Sequence, residues 1–291
     1  MTHIMTQTSA RVALSVLFIL ALACPVAVAG LVLNFDANTQ ERADDEWKNS
    51  ADSGGAVPMS EDKPGLEEGT IDVAGMSFNS KYYTATAPRQ SFVNIDNAPT
   101  DDIPTVHLEN YTMGILVRIN GGLLEEEHQM LGIQSDAPEA NQTSRIWVSN
   151  GDADNPAGNI TNVNVMQPAI GLREDYGLAD HGLSLGVGTW RWVHISFESG
   201  IAIDFYIDGE LTGSLPSGVT WDPERPMNIH ALFCHSFGER HRTFNGSIAN
   251  YRVWDEYMTE DQINAEIGAG GGTAVELGDK VTTTWGNLKT Q

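Results

Sequence analysis

Asp204 and Asp208 stand four residues apart in IAIDFYIDGELTGSL (201–215). Two carboxylates in an aromatic setting are the equipment of a glycoside hydrolase. The stretch alternates, with Ile203, Phe205 and Ile207 on one face and Asp204, Tyr206 and Asp208 on the other, so it reads as a strand. Four residues of strand span about 13 Å at ~3.3 Å per residue. Retaining hydrolases hold their carboxyl groups about 5–5.5 Å apart and inverting ones about 6.5–9.5 Å, so the two aspartates do not form an acid/base pair. Asp208 has a structural task instead, because Asp-Gly is the dipeptide of a tight hairpin turn with positive φ at both central residues.

The segment before it, WRWVHISF (190–197), alternates in the same way. Val193, Ile195 and Phe197 share one face; Trp190, Trp192, His194 and Ser196 share the other. Pairing the two strands core to core leaves a second face carrying Trp192, His194, Asp204 and Tyr206. Aromatic rings stack on the apolar faces of pyranoses, and Asp and His satisfy sugar hydroxyls. These four are the candidate ligand-binding residues. The competing reading is that another segment, such as the loop over 36–65, covers the face and makes Trp192 ordinary packing.

Other constellations are weaker. In LLEEEHQM (123–130), Glu126 and His128 share a strand face as an acid/base couple would, although the solvated end of a strand explains them equally. GDADNPAGN (151–159) offers Asp152, Asp154 and Asn155, oxygen ligands of the kind Ca²⁺ takes, but the loop lacks the Gly and the closing Glu of an EF-hand; a polar hairpin loop is the plainer reading. His230 and His235, five apart, point to opposite faces of a strand, and with His241 they lack thiolate support for zinc. No nucleophile elbow, P-loop or dinucleotide fingerprint is present, and no cofactor is expected beyond that calcium.

The elements that must position these residues follow from composition and punctuation. Residues 1–29 carry one positive charge, Arg11, then the apolar run VALSVLFILALA and an A-x-A site at Ala27–Ala29, and read as a secretory signal peptide too short to span a bilayer. Cys24 raises lipid anchoring as an alternative. Beyond residue 29 the one cysteine is Cys234, which excludes an intrachain disulfide. The formal charge of −23 repels nucleic acid and anionic membrane.

Sustained helical periodicity is nearly absent, and short alternating segments separated by Gly, Asn, Asp and Pro predict strands. These are LVLNF (31–35), GMSFN, YYTAT, TVHLE, TMGILVRI, HQMLGIQ, SRIWVSN, NVNVMQ, the hairpin WRWVHISF–IAIDFYI with ELTGSL, and finally MNIHALFCH and GSIANYRVW. Residues 36–65 are expected to form a loop pinned by Trp47. One helix is signalled after Thr259, an N-cap with Gln262 at N3 and a staple of Met258 on Ile263, ending at Gly268. GAGGG (268–272) reads as a linker to a tail in which Val281, Thr283 and Trp285 share a face. The organisation is a signal peptide (1–29), a sandwich domain (30–268) and a linker with a short tail (269–291).

The order of TWRWVHISFESGIAIDFYIDGELTGSLP, MNIHALF and FNGSIANYRVWDEYMTEDQI resembles the laminin-G-like and concanavalin A-like jelly-roll superfamily. The Trp-led strand is Trp192 to Phe197, the Y-x-D-G strand end Tyr206 to Gly209, the late strand Phe244 to Trp254, and the helix start Met258 to Ile263. The resemblance implies an all-β, two-sheet antiparallel jelly roll of twelve to fourteen strands with one short C-terminal helix. It also implies binding of carbohydrate or extracellular glycoprotein, with Ca²⁺ at the sandwich rim. Hydrolases of this superfamily carry an E-x-D-x-x-E or E-x-D-x-E strand, which this chain lacks. A hydrolase whose acidic pair comes from different strands, and a structural or adhesive surface module, are the alternatives. If Asp152, Asp154 and Asn155 hold a structural calcium, EDTA will lower the melting temperature; an unmoved melting curve excludes the ion.

Overall fold

In a computed structural model of the protein, the described residues are 30–59, 63–87, 90, 92–93, 105–121, 128–134, 143–149, 160–167, 172–177, 184–224, 227–228, 231–232 and 245–270. Their alternating segments form eighteen strands: β1 (Leu31–Asp36), β2 (Glu46–Lys48), β3 (Ala56–Pro58), β4 (Gly65–Val73), β5 (Met76–Ala85), β6 (Phe92–Val93), β7 (Thr105–Val106), β8 (Tyr111–Ile119), β9 (His128–Gln134), β10 (Thr143–Ser149), β11 (Ile160–Gln167), β12 (Leu172–Gly177), β13 (Trp190–Glu198), β14 (Ala202–Ile207), β15 (Glu210–Pro216), β16 (Met227–Asn228), β17 (Ala231–Leu232) and β18 (Gly246–Trp254). One helix follows, Glu260–Gly270.

The main sheet has eight strands in the order β15-β14-β13-β8-β18-β5-β4, with β1 also pairing β18. A second, four-stranded sheet runs β12-β11-β10-β9. All the sheet pairings are antiparallel, as the resemblance implied. The core lies on one face of the main sheet: Leu33 and Phe35 from β1, Tyr111, Met113, Ile115 and Val117 from β8, Val193, Ile195 and Phe197 from β13, and Tyr251 and Val253 from β18. Val148 of β10 joins them, which places the second sheet over that face.

Several expectations are corrected. Residues 36–59 are not one loop. A single 3-10 turn (Ala37–Thr39) leads to the hairpin β2–β3, whose turn is held by Asn49, which accepts from Ala51 N and donates to Ser53 Oγ and Gly54 O. That hairpin delivers Trp47, fully buried, onto Phe35 and Tyr83 at ring separations of 5.8 and 5.0 Å. GMSFN and YYTAT are one strand, β5, and GLEEGTIDV is a strand that alternation missed. Its burial changes face midway: Leu66 packs on the core, whereas Ile71 and Val73 are buried on the opposite side. β12 was also missed, and MNIHALFCH divides into two short strands that pair β7 and β6 separately.

The helix begins as expected. Gln262 Oε1 accepts from the Thr259 backbone and hydroxyl, and Ile263 N donates to Thr259 O. It runs two residues past Gly268, to Gly270. The signal peptide, the 151–159 loop, Glu126, the three late histidines and the tail lie outside the described residues.

Trp47→Ala removes one of the two tryptophans of the inner core cluster. It should cost about 3–5 kcal/mol, read as a lowered urea midpoint at unchanged m-value.

Candidate functional site

Strand β13 sits between β14 and β8, and its outward residues meet their neighbours in register. His194 stands opposite Tyr206 on one side and Gly114 on the other, and Ser196 opposite Asp204. Arg252 and Trp254 of β18 reach the same face beside Gly114 and Thr112. The structure therefore brings Trp192, His194, Asp204 and Tyr206 together, as the alternation predicts.

It also buries them. Their relative exposures are 2%, 1%, 8% and 2%, so in the structure this face is closed rather than open. The cover is the C-terminal segment rather than the 36–65 region, whose Trp47 packs on the inner face. Met258, Ile263 and Ile267 press onto the sheet as the apolar side of the helix and its lead-in. Polar ties fix the register: Thr112 Oγ1 donates to Glu256 O and accepts from Met258 N, and Ser196 Oγ donates to Met258 O. Tyr257 donates its hydroxyl proton to Asp204 Oδ2, and Arg252 Nη1 bonds Glu266 of the helix at 3.3 Å.

Under this cover the rings form a ladder. His194 stacks on Trp192 at 5.5 Å and 23°, with Trp254 6.2 Å away, and the Arg252 guanidinium lies 5.7 Å from the Trp192 ring. Gly114 makes room for it: a Cβ there would stand 2.7 Å from His194 Cδ2 and 3.1 Å from Trp254 Cζ3. Burial, helped by the Arg252 charge, pushes the His194 pKa down to about 3, so the imidazole is neutral at physiological pH. Burial and the Asp204 carboxylate raise the Tyr257 phenol above its ordinary range.

The turn after β14 is the Asp-Gly turn the sequence requires, with φ of 54° at Asp208 and 88° at Gly209. Asp208 Oδ1 accepts from Trp192 N at 2.9 Å and Oδ2 from Arg191, so both carboxylate oxygens are engaged. Asn264 of the helix donates to Gly209 O at 3.1 Å, an approach that a Cβ at Gly209 would block.

Next to this turn lies what sequence reasoning missed. β4 touches β13 although three strands separate them in the sheet order, so the sheet curls toward its outward face. The β4–β5 tip, a two-residue turn at Ala74–Gly75 with φ of 49° and 76°, thereby forms one wall of a cleft of about 360 Å³. Asp72, Val73, Met76 and Ser77 line that wall; Thr189, Trp190, Arg191 and Asp208 line the other. Asp72, Ser77 and Thr189 are exposed. The available signal was the pair of small residues Ala74-Gly75 between two alternating runs, obscured because β4 buries opposite faces along its length. Among the described residues no three of His, Cys, Asp and Glu converge as a metal site would require.

Residues 133–264 match the family model for the concanavalin A-like lectin/glucanases superfamily. The sandwich is concanavalin A-like. Solved structures sharing this fold include the receptor binding domain of botulinum neurotoxin D (12% identity, 83% of this chain and 53% of that one, TM-score 0.51). Another is the serotype D ligand binding domain in complex with N-acetylneuraminic acid (13%, 82% and 51%, 0.52). A third is domain 4 of AbnA, a GH43 extracellular arabinanase from Geobacillus stearothermophilus, in complex with arabinotriose (14%, 81% and 98%, 0.51). The chain spans about half the length of the two toxin domains and nearly all of the arabinanase domain. Identities this low establish the concanavalin A-like fold alone. No curated protein matches the chain.

The depressed His194 pKa makes stability depend on pH. The unfolded chain protonates this histidine near its ordinary pKa of 6.5 and the folded chain does not until about 3. Its contribution is complete above 6.5 and is lost as pH falls toward 3, at up to about 1.4 kcal/mol per unit. Urea titrations between pH 6.5 and 5 should show wild-type stability falling more steeply than that of His194→Gln; parallel slopes would contradict the buried neutral imidazole.

Proposed function

We propose that the protein is a non-catalytic carbohydrate-binding module acting outside the cell, with its ligand in the cleft between the β4–β5 tip and the start of β13. The observation that carries this reading is the cleft itself. It combines exposed oxygen donors and acceptors (Asp72, Ser77, Thr189) with the half-buried Met76, over a floor of nearly buried Val73 and Trp190. Sugars present that same mixture of hydroxyls and C–H faces, and the volume falls within the ~300–1,000 Å³ of small-ligand sites. Two of the solved structures with this fold, the serotype D domain and the arabinanase domain, carry sugar ligands, which supports the ligand class. No helix among the described residues is long and apolar enough to cross a membrane, which is compatible with secretion by the N-terminal segment.

On this reading Trp192, His194, Asp204 and Tyr206 are the seam that fastens the C-terminal helix, and they act on ligand only by holding Arg191 and Asp208 in place. The hydrolase alternative has little to draw on here. Asp208 already accepts two hydrogen bonds and Asp204 is buried beneath Tyr257, which leaves Asp72 as the one exposed carboxylate among the described cleft residues, where a hydrolase needs a pair. The protein's partner is then a glycan or the glycan of a glycoprotein.

A glycan array followed by titration of the best-bound oligosaccharide tests the site. Asp72→Ala combined with Ser77→Ala should weaken binding about tenfold or more, as expected for the loss of two ligand hydrogen bonds at ~0.5–1.5 kcal/mol each, with an unchanged melting temperature. Trp192→Ala should lower the melting temperature instead. Retained affinity in the double variant would place the ligand elsewhere.

A further inference from the structure

The chain is strongly acidic, and most cations among the described residues sit beside a carboxylate. Among the described residues Lys48, Lys63, Lys81, Arg191 and Arg252 each lie within 4.0 Å of a carboxylate, and Arg42 is exposed to solvent. Arg118 is the exception. It is partly buried on the outward face of β8, and no carboxylate among the described residues reaches it. Partly buried guanidinium groups are ordinarily paired, since desolvation of an unpaired charge is costly.

What holds Arg118 is aromatic. Its guanidinium carbon lies 5.3 Å from the Tyr82 ring centre and 5.1 Å from that of Trp190, and those rings meet edge to face at 5.1 Å. Cation–π contact occupies the flat faces of the group and leaves the in-plane N–H edges for other partners. One such edge donates from Nη2 to Ser247 Oγ at 3.1 Å, and Ser247 is itself tied to Thr84. Nε is buried with no acceptor. A fixed guanidinium that no carboxylate among the described residues pairs, one ring away from the cleft that Trp190 lines, has the chemistry to attract a planar anion.

We propose that Arg118 is an acid-selecting subsite: the glycan bound at the cleft carries a carboxylate, as uronic and nonulosonic acids do, and the Arg118 fork takes it in plane while Trp190 and Tyr82 hold the fork. The subsite deepens the glycan-binding reading above and rests on it. A carboxylate fits better than a neutral hydroxyl because it accepts two parallel N–H bonds and supplies the counter-charge that no carboxylate among the described residues gives Arg118.

The test uses two matched pairs of probes, trigalacturonate with its methyl ester and 3′-sialyllactose with lactose, titrated calorimetrically into the full chain and into Arg118→Met and Arg118→Lys. The expected result is that at least one acid binds wild type about tenfold tighter than its neutral partner, the margin of a charge-assisted pair. That preference should vanish in Arg118→Met and shrink severalfold in Arg118→Lys, which keeps the charge and the aromatic contact but not the fork. Circular dichroism melts establish that the variants are folded, and the lysine variant keeps the test alive if the methionine variant is not. Neutral probes bound as tightly as acids, an acid preference indifferent to Arg118, or no binding of any of the four would overturn the subsite. In the first two cases the glycan-binding reading survives.

Discussion

The Asp208–Gly209 turn is the joint on which the outward half of the molecule depends. Its backbone and side chain grip β13 twice, through Asp208 N to Trp192 O and Trp192 N to Asp208 Oδ1. The same carboxylate orients Arg191 at the mouth of the cleft. The next residue, with neither a side chain nor a negative φ, lets Asn264 and Ile267 of the helix approach. Two adjacent left-handed residues thus connect strand, helix and cleft, and a side chain at the second would disturb the packing of the helix while straining the turn itself.

Around that joint the main sheet buries both of its faces, by different means. The inner face is aliphatic and aromatic and closes against the second sheet. The outward face is closed by two covers, the C-terminal helix over Trp192, His194 and Trp254, and the curled β4–β5 hairpin over Tyr82 and Trp190. Its buried groups are correspondingly mixed. Charges there rest against aromatic rings and local partners, as Arg252 does against Trp192 and Glu266, and the imidazole gives up its proton. Polar residues on this face therefore serve packing.

The architecture was largely legible in the chain. Alternation located most long strands, the Asp-Gly pair located the turn, and Thr259 with Gln262 located the helix start, because each depends on local chemistry that neighbouring residues spell out. The candidate face was legible in parity but not in exposure. Alternation puts Trp192 and Asp204 side by side, yet nothing local says that a helix encoded much later in the chain will lie on them. The same holds for the cleft. Its walls meet only because the sheet curls, and the strand that curls, β4, buries Leu66 on one side and Ile71 and Val73 on the other, so it has no single apolar face to read. The 151–159 loop and Glu126, the partner that His128 of β9 would need, fall outside the described residues.

The pairing of β1 with β18, which sets Leu31 against Trp254, has a bearing on how the molecule comes into being. The first strand finds its neighbour only after more than two hundred residues have followed it, and the helix that seals the outward face is encoded later still. During synthesis both the starting strand and the tryptophans of β13 must wait, unpaired and wetted, for the last part of the fold. Such distant closure makes for slow folding, and an acidic chain that repels its own copies is well suited to survive the delay.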